Sequence, residues 1–188
     1  PGGFSGYVAD SNLGTGWSGR YATYNPSEDW LKIPFSDFYS KFYPNYFQLK
    51  EQCTDELYLS LAELYRICTM IRVTDTYGPI PYSQVGVNNA LKSAYDSQEQ
   101  VYTKMLADLD NIIDVLTTYS AQNFNPSGDR IYDGNTKAWA KFANSMKLRM
   151  AMRIVYVNEN LAKQKAEEAV NSEIGVMTAN SDGAYHKI

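Results

Sequence analysis

One strongly patterned helix constrains this chain more than any other feature of its sequence. Between residues 128 and 157, apolar residues recur at steps of three, four and seven positions, the spacing that places side chains on one helical face. This face comprises Trp139, Phe142, Ala143, Met146, Met150, Ile154 and Val157. The remaining positions include the small residues Ala138, Ala140, Asn144, Ser145 and Ala151. Because small side chains allow close backbone approach, the pattern predicts a central helix packed on more than one side.

The turn before this helix carries a start signal. Asp133, Asn135 or Thr136 can each accept a hydrogen bond from a first-turn amide, and Gly134 tolerates a positive φ. A calcium loop built on Asp129, Asp133 and Asn135 is the alternative, because hard cations prefer oxygen ligands. The spacing does not match the EF-hand loop, so the sequence favours a helix cap and predicts no metal site.

Two arginines lie in the second half of the central helix. Arg149 and Arg153 are one helical turn apart, and together they could bind a carboxylate or a phosphate. A structural ion pair with a neighbouring helix is the simpler interpretation, and we favour it.

Two helices are predicted in the first half of the chain. Apolar and aromatic residues between 35 and 49 line one face, and Pro44 marks a kink or a boundary there. A second helix is predicted from about residue 54 to Tyr77, where Gly78 and the following prolines end it.

Capping signals predict the remaining helices. Ser97 followed by Gln100 resembles a capping box at the start of a third helix, and Asn158 precedes a final helix over Glu159–Asn171. The central and final helices form a unit of about 37 residues, close to the 34 of a tetratricopeptide repeat. The fold class predicted is therefore all-α, with tetratricopeptide-like helical pairs and long irregular loops.

Charge and hydropathy argue against nucleic-acid-binding and membrane-spanning proteins, and the cysteine spacing argues against a disulfide. The formal net charge of −4 and the pI near 5.0 argue against a nucleic-acid-binding protein. No apolar run reaches the roughly 18 residues that a transmembrane helix needs. Cys53 and Cys68 would lie about 22 Å apart along one helix, so we expect no disulfide between them.

The first 34 residues form an aromatic-rich stretch without helical or strand periodicity. Gly14, Gly16 and Gly19 spell G-x-G-x-x-G, but no strand precedes them and no helix follows, so we reject a dinucleotide site. Aromatic and polar side chains in a non-periodic segment are suited to stacking on sugar rings. The predicted ligand-binding residues here are Trp17, Arg20, Tyr21, Tyr24 and Trp30. Packing of the same rings against the helices is the alternative.

A second, weaker candidate lies in the loop near residue 182. Asn180, Asp182 and Tyr185 place an amide, a carboxylate and a ring together, which could contact a sugar. The same cluster could be an ordinary turn.

Two longer motifs carry a family resemblance. The first, IRVTDTYGPIPYSQ, follows a long helix, and the second is DRIYDGNTKAWAKFANSMKLRMAMRI. In the first motif, the residues that match the pattern of a known family are Asp75, Tyr77, Gly78, Ile80, Pro81 and Tyr82. In the second motif, the residues that match the pattern of the same family are Tyr132, Gly134, Trp139, Phe142, Ala143, Asn144, Ser145, Leu148 and Arg149. Together they resemble the SusD/RagB family of outer-membrane nutrient-binding lipoproteins of Bacteroidetes, with Pro79, Met146 and Lys147 as departures from the usual residues.

The resemblance implies a single SusD-like helical domain over residues 1–188, corresponding to the N-terminal part of the longer family members. Residues 1–34 would be irregular, 35–174 the helical core and 175–188 a loop. The family implies a surface-exposed outer-membrane lipoprotein that binds a glycan or other nutrient and delivers it to a SusC-like TonB-dependent transporter. We expect no catalysis and no cofactor, and membrane attachment only through a lipid anchor that lies outside this sequence.

Two other functions remain as alternatives. A helical-repeat scaffold could bind a peptide or protein partner in a groove. A glycosidase would need two carboxyl groups across a cleft, and Asp108, Asp110 and Asp114 offer carboxylates on one helix. We expect these three on its solvated face, and His186 is the only histidine, so an enzyme is not favoured.

Overall fold

The computed structural model describes residues 27–87 and 92–186, with the side chain of Trp30 excepted. The chain divides into two compact units between Asn45 and Tyr46. The helices are α1 (Glu28–Asp37), a π-helical turn (Phe38–Phe42), α2 (Tyr43–Gln52), α3 (Glu56–Tyr77), α4 (Gln98–Thr118), α5 (Thr136–Arg153) and α6 (Glu159–Asn171). Two short 3₁₀ turns span Pro126–Gly128 and Asn180–Asp182. The described residues contain isolated β-bridges but no strand, and the all-α prediction is confirmed.

The first helix begins earlier than the sequence pattern indicates. Residues 28 to 34 are helical rather than irregular, although Pro34 lies inside α1. Glu28 and Asp29 occupy the first turn, where negative charge is favoured by the helix dipole, and Glu28 pairs with Lys32 at 2.6 Å. The π-helical turn ends just before Pro44, which confirms a boundary there.

The second unit is built from helices that pack on their neighbours in chain order. Helix α3 packs on α4, α4 packs on α5, and α5 packs on α6. Of these three connections, only the one between α5 and α6, residues 154–158, is short, which is typical of an antiparallel helix pair. The largest fully buried apolar side chains include Leu64, Ile67, Met70, Met105, Leu109, Leu116 and Met150. Because α5 packs on both α4 and α6, the prediction of a central helix is confirmed.

Small residues of α5 allow this two-sided packing. Ala140, Ala143 and Ala151 are fully buried, and the buried Asn144 donates hydrogen bonds from Nδ2 to the carbonyls of Ala169 and Gly175, both at 2.8 Å. A short polar side chain thus joins α5 to the end of α6.

The apolar face predicted for α5 extends beyond the end of the helix that the structure shows. Val157 is 85% exposed, because the helix ends at Arg153 and the chain then turns. In that turn the Ile154 amide bonds to the Ala151 carbonyl, and only Ile154 remains buried.

The predicted capping residues hold the starts of three helices. Asn135 caps α5 and Asn158 caps α6, and each side chain accepts a hydrogen bond from a backbone amide of the first turn. Ser97 and Gln100 form a reciprocal capping box at the start of α4, as predicted. Gly78 ends α3 with a φ of +78°, a conformation that favours glycine.

Changing Ser97 to Ala should lower the free energy of unfolding by about 1 kcal/mol, because the Gln100 amide loses its acceptor. Urea denaturation followed by circular dichroism measures this change. Thr117→Ala, at an exposed position of the same helix, is the control and should not destabilise. Equal midpoints for Ser97→Ala and the unmodified protein would show that the cap contributes nothing.

A buried arginine joins α3, α4 and the turn after α3. The Arg66 guanidinium lies 4.1 Å above the ring of Tyr82, and it bonds to Glu63 and, at 3.4 Å, to Asp108. Asp96 fixes the same turn by accepting the amides of Tyr82 at 3.1 Å and of its neighbour at 2.7 Å. These contacts explain Tyr82 without a ligand and support the structural interpretation of the GPIPY turn.

A second charge cluster joins α4, α5 and α6. The half-buried Asp110 pairs with Lys147 and Lys165, each at 2.6 Å, and Glu168 pairs with the same two lysines at 2.8 and 3.0 Å. The expectation that Asp108 and Asp110 lie on a solvated face is therefore wrong, because basic residues of neighbouring helices neutralise them. Asp114 is exposed, as expected.

Both cysteines are free thiols. Burial, the largest influence, raises the pKa of Cys68 to about 12. The absence of a bridge between Cys53 and Cys68 agrees with the prediction.

Candidate functional site

The main cluster of predicted ligand residues lies largely outside the described part of the chain. Trp17, Arg20, Tyr21 and Tyr24 fall there, and Trp30 belongs to α1 with a side chain that is not described. The role of this cluster in binding stays a prediction.

The second predicted cluster lies in a short 3₁₀ turn, Asn180–Asp182. The Asp182 carboxylate accepts Lys141 Nζ at 2.8 Å and the amides of Thr178 and Ala179 at 2.9 and 3.1 Å. The Lys141 hydrogen bond, followed by these amides, lowers the pKa of Asp182 to about 2. These contacts give Asp182 a structural role in the turn.

Asn180 is the first residue of this turn and Tyr185 follows it; both are exposed, with Tyr185 at 68%. Their contact with a ligand stays a prediction.

A buried carboxylate organises the turn that precedes α5. Asp129 Oδ1 accepts the amides of Ile131 and Tyr132 at 2.9 and 3.2 Å, while Oδ2 accepts the amide of Gly134 at 2.9 Å and Trp139 Nε1 at 2.7 Å. Burial opposes ionisation, but these four donors outweigh it and hold the pKa of Asp129 below its ordinary value. The carboxylate acts as a turn organiser, which favours the structural interpretation over the calcium loop.

This turn fixes a cluster of aromatic rings. The Trp139 indole, held by Asp129, packs edge-to-face on Tyr132 at 5.2 Å and on Phe142 at 5.7 Å between ring centroids. Tyr132 donates its hydroxyl to the Asp182 carbonyl at 2.8 Å, which connects the two turns. Burial, with Asp182 and Asp129 nearby, raises the pKa of Tyr132 to about 12.

An open groove of about 620 Å³, which we call the aromatic groove, lies beside this cluster. One wall is the face of α3 that bears Tyr58 and Tyr65, the other is the loop with Phe124 and Arg130, and Trp139 contributes from α5. Sequence reasoning missed this feature. A signal was available, because Tyr58, Leu61, Ala62 and Tyr65 follow helical spacing on a face separate from the buried stripe.

A second groove, of about 560 Å³, lies between the end of α3, the start of α4 and the α5–α6 turn. Asp75 accepts the Tyr102 hydroxyl at 2.6 Å and pairs with Arg153 at 3.0 Å. The ion pair between neighbouring helices predicted for Arg153 is therefore confirmed, while Arg149 is exposed. Burial, reinforced by Asp75, raises the pKa of Tyr102 to about 12.

Comparison with known proteins identifies the family. The family model described as SusD-like, the SusD and RagB outer-membrane lipoproteins, matches residues 1–188. Among curated proteins, none shows significant similarity to the chain. Within the described ranges, no helix has both the length and the apolar character needed to cross a bilayer.

Solved structures agree with this match. A SusD homologue from Bacteroides ovatus is 70% identical over 100% of this chain and 38% of its own, with a TM-score of 0.89. A SusD homologue from Bacteroides thetaiotaomicron is 39% identical, covers 100% of this chain and 38% of its own, and has a TM-score of 0.87. A chitin-binding SusD homologue from Flavobacterium johnsoniae is 36% identical over 84% of this chain and 34% of its own, with a TM-score of 0.78.

The chain thus spans little more than a third of the length of these relatives. The first sequence motif covers the end of α3 and the turn that follows it. The second covers the turn before α5 and the helix α5 itself. The chain belongs to the SusD-like family of outer-membrane lipoproteins.

Proposed function

We propose that this protein is a non-enzymatic glycan-binding component of an outer-membrane uptake system. The observation that carries this proposal is the family match over residues 1–188, joined to a 36% identical homologue that binds chitin. The bound glycan would be delivered to a SusC-like TonB-dependent transporter. The protein would act at the cell surface as a lipoprotein.

Three of the described carboxylates, Asp108, Asp110 and Asp129, are engaged within the fold, which favours binding over hydrolysis at these positions. A glycosidase needs one carboxyl group free to donate a proton and a second free to attack or to activate water. Asp108 and Asp110 are instead paired with basic residues of neighbouring helices, and Asp129 accepts four N–H groups. These residues hold the fold and leave recognition to aromatic and neutral polar side chains.

We assign glycan stacking to the aromatic-rich N-terminal stretch. Trp17 and Trp30 offer the largest rings, Tyr21 and Tyr24 add smaller ones, and Arg20 supplies hydrogen-bond donors. Asn180 and Tyr185 are the exposed residues of the second cluster. A sugar presents apolar C–H faces and hydroxyl groups, which such a combination satisfies.

Changing Trp17 or Trp30 to Ala should weaken glycan affinity roughly tenfold each, because a lost stacking contact of about 1.4 kcal/mol corresponds to that factor. Isothermal titration calorimetry of the full-length protein with chitotriose and maltotriose measures the affinities. Tyr156→Ala, at a 98% exposed position, is the matched control. Sugar binding that is unchanged in both tryptophan variants would contradict this assignment.

The cellular part of the proposal has its own test. Protease added to intact cells should degrade the protein, and affinity purification from solubilised outer membranes should recover a TonB-dependent transporter. Protection from the protease, or recovery without any transporter, would contradict surface exposure or the partner. A folded protein that binds no sugar but does bind peptides would instead support the scaffold alternative.

A further inference from the structure

The aromatic groove has the composition of a ligand site that the N-terminal aromatic cluster does not explain. Tyr65 is 59% exposed and Tyr58 is 39% exposed, although both lie on a helix whose opposite face is fully buried. They are seven residues apart, so their rings lie on the same face, two turns apart along the helix axis. Two large rings therefore line one wall of an open groove.

The Tyr58 ring and the Trp139 indole of the groove are held by protein contacts. Tyr58 packs edge-to-face on Phe124, with ring centroids 5.8 Å apart, and the Trp139 indole is fixed by its hydrogen bond to Asp129. A surface that is ordered by its own protein loses less conformational entropy when a ligand binds. These two side chains of the groove are thus preorganised.

Polar groups at the rim complement this apolar wall. Arg130 lines the groove and is exposed, so its guanidinium can donate hydrogen bonds to a ligand. Asn125 also lines the groove, and its side-chain Oδ1 accepts hydrogen bonds from the amide and the hydroxyl of Ser127. The Asp129 carboxylate already accepts four N–H groups of the protein, so hydrogen bonding to a ligand is left to the other rim groups.

From this geometry we propose that the aromatic groove is a second carbohydrate-binding surface, in which separate pyranose rings of an oligosaccharide stack on Tyr65 and on Tyr58 and a hydroxyl group bonds to Arg130. Flat aromatic faces match the C–H face of a pyranose, and rim donors match its hydroxyl oxygens. The volume of about 620 Å³ lies within the range of about 300–1,000 Å³ common for ligand pockets. This inference rests on the proposed glycan-binding function but uses a different set of residues.

The tryptophan content of the chain provides a direct test. Within residues 1–188 the tryptophans are Trp17, Trp30 and Trp139, so a Trp17→Ala/Trp30→Ala variant of this segment retains Trp139 at the groove as its reporter. In this background, chitotriose or maltotriose should change the tryptophan emission in a saturable manner. Tyr65→Ala should then weaken the apparent affinity at least tenfold, whereas Tyr65→Phe, which keeps the ring face, should change it less than threefold.

Controls separate this inference from the proposed function. Tyr156→Ala, an exposed tyrosine outside the groove, should leave the titration unchanged, and circular dichroism confirms that each variant is folded. If the unmodified protein binds a sugar but the emission of the double variant does not respond, the groove proposal is overturned and the proposed function stands. A response that is unaffected by Tyr65→Ala overturns it as well.

Discussion

Replacing Arg66 by Ala should lower the free energy of unfolding by about 3–5 kcal/mol, the largest effect we expect from a single substitution. The Arg66 side chain is only 11% exposed, and its partners Glu63 and Asp108 are 21% and 12% exposed. Removing the cation leaves two carboxylates in a poorly hydrated site and uncovers the ring of Tyr82. Urea denaturation monitored by circular dichroism gives the change directly.

Arg72→Ala provides the matched control for this prediction. Arg72 lies on the same helix but is exposed, so its replacement should change the free energy of unfolding by less than about 0.5 kcal/mol. Similar small effects for Arg66→Ala and Arg72→Ala would show that the buried cluster does not hold α3 to α4.

Replacing Asp129 by Ala should destabilise the protein by about 2–4 kcal/mol, because the substitution removes the acceptor of four N–H groups, three of the backbone and one of Trp139. Asp129→Asn should recover little of this loss, since its NH₂ group would face donors. Denaturation curves recorded by tryptophan fluorescence and by circular dichroism measure the effect. Asp114→Ala, an exposed carboxylate, is the control.

The same substitution has a predictable pH dependence. The pKa of Asp129 is lower in the folded state, so its stabilising effect is complete above the unfolded pKa of about 3.9 and is lost as pH falls through the folded value. The stability difference between the unmodified protein and Asp129→Ala should therefore be constant near neutral pH and shrink in acid. A difference that grows as the pH falls would contradict the assigned ionisation.

Local signals in the sequence predicted most of the helical unit. Ser97, Asn135 and Asn158 cap helices because a short polar side chain before an apolar periodic run satisfies first-turn amides. Gly78 and the following prolines end α3 for equally local reasons. The central position of α5 also followed from sequence, because its small residues allow packing on two sides.

Features that depend on partners distant in sequence were harder to predict. Asp110 lies on the polar face of α4, yet the lysines that bind it come from α5 and α6, 37 and 55 positions later. The early start of α1 despite Pro34 was likewise missed. For the candidate site, the helical spacing of Tyr58 and Tyr65 was visible, but the loop that completes the groove becomes its wall only through tertiary packing.

The most direct test of the central claim is calorimetric titration of the full-length protein with chitotriose and maltotriose, followed by chromatography of the sugar after prolonged incubation. We predict saturable binding of at least one sugar, weakened by Trp17→Ala or Trp30→Ala, with the oligosaccharide recovered intact. Recovery of shortened sugars would identify a hydrolase. The absence of binding to either sugar and to a wider glycan panel would contradict a glycan-binding function.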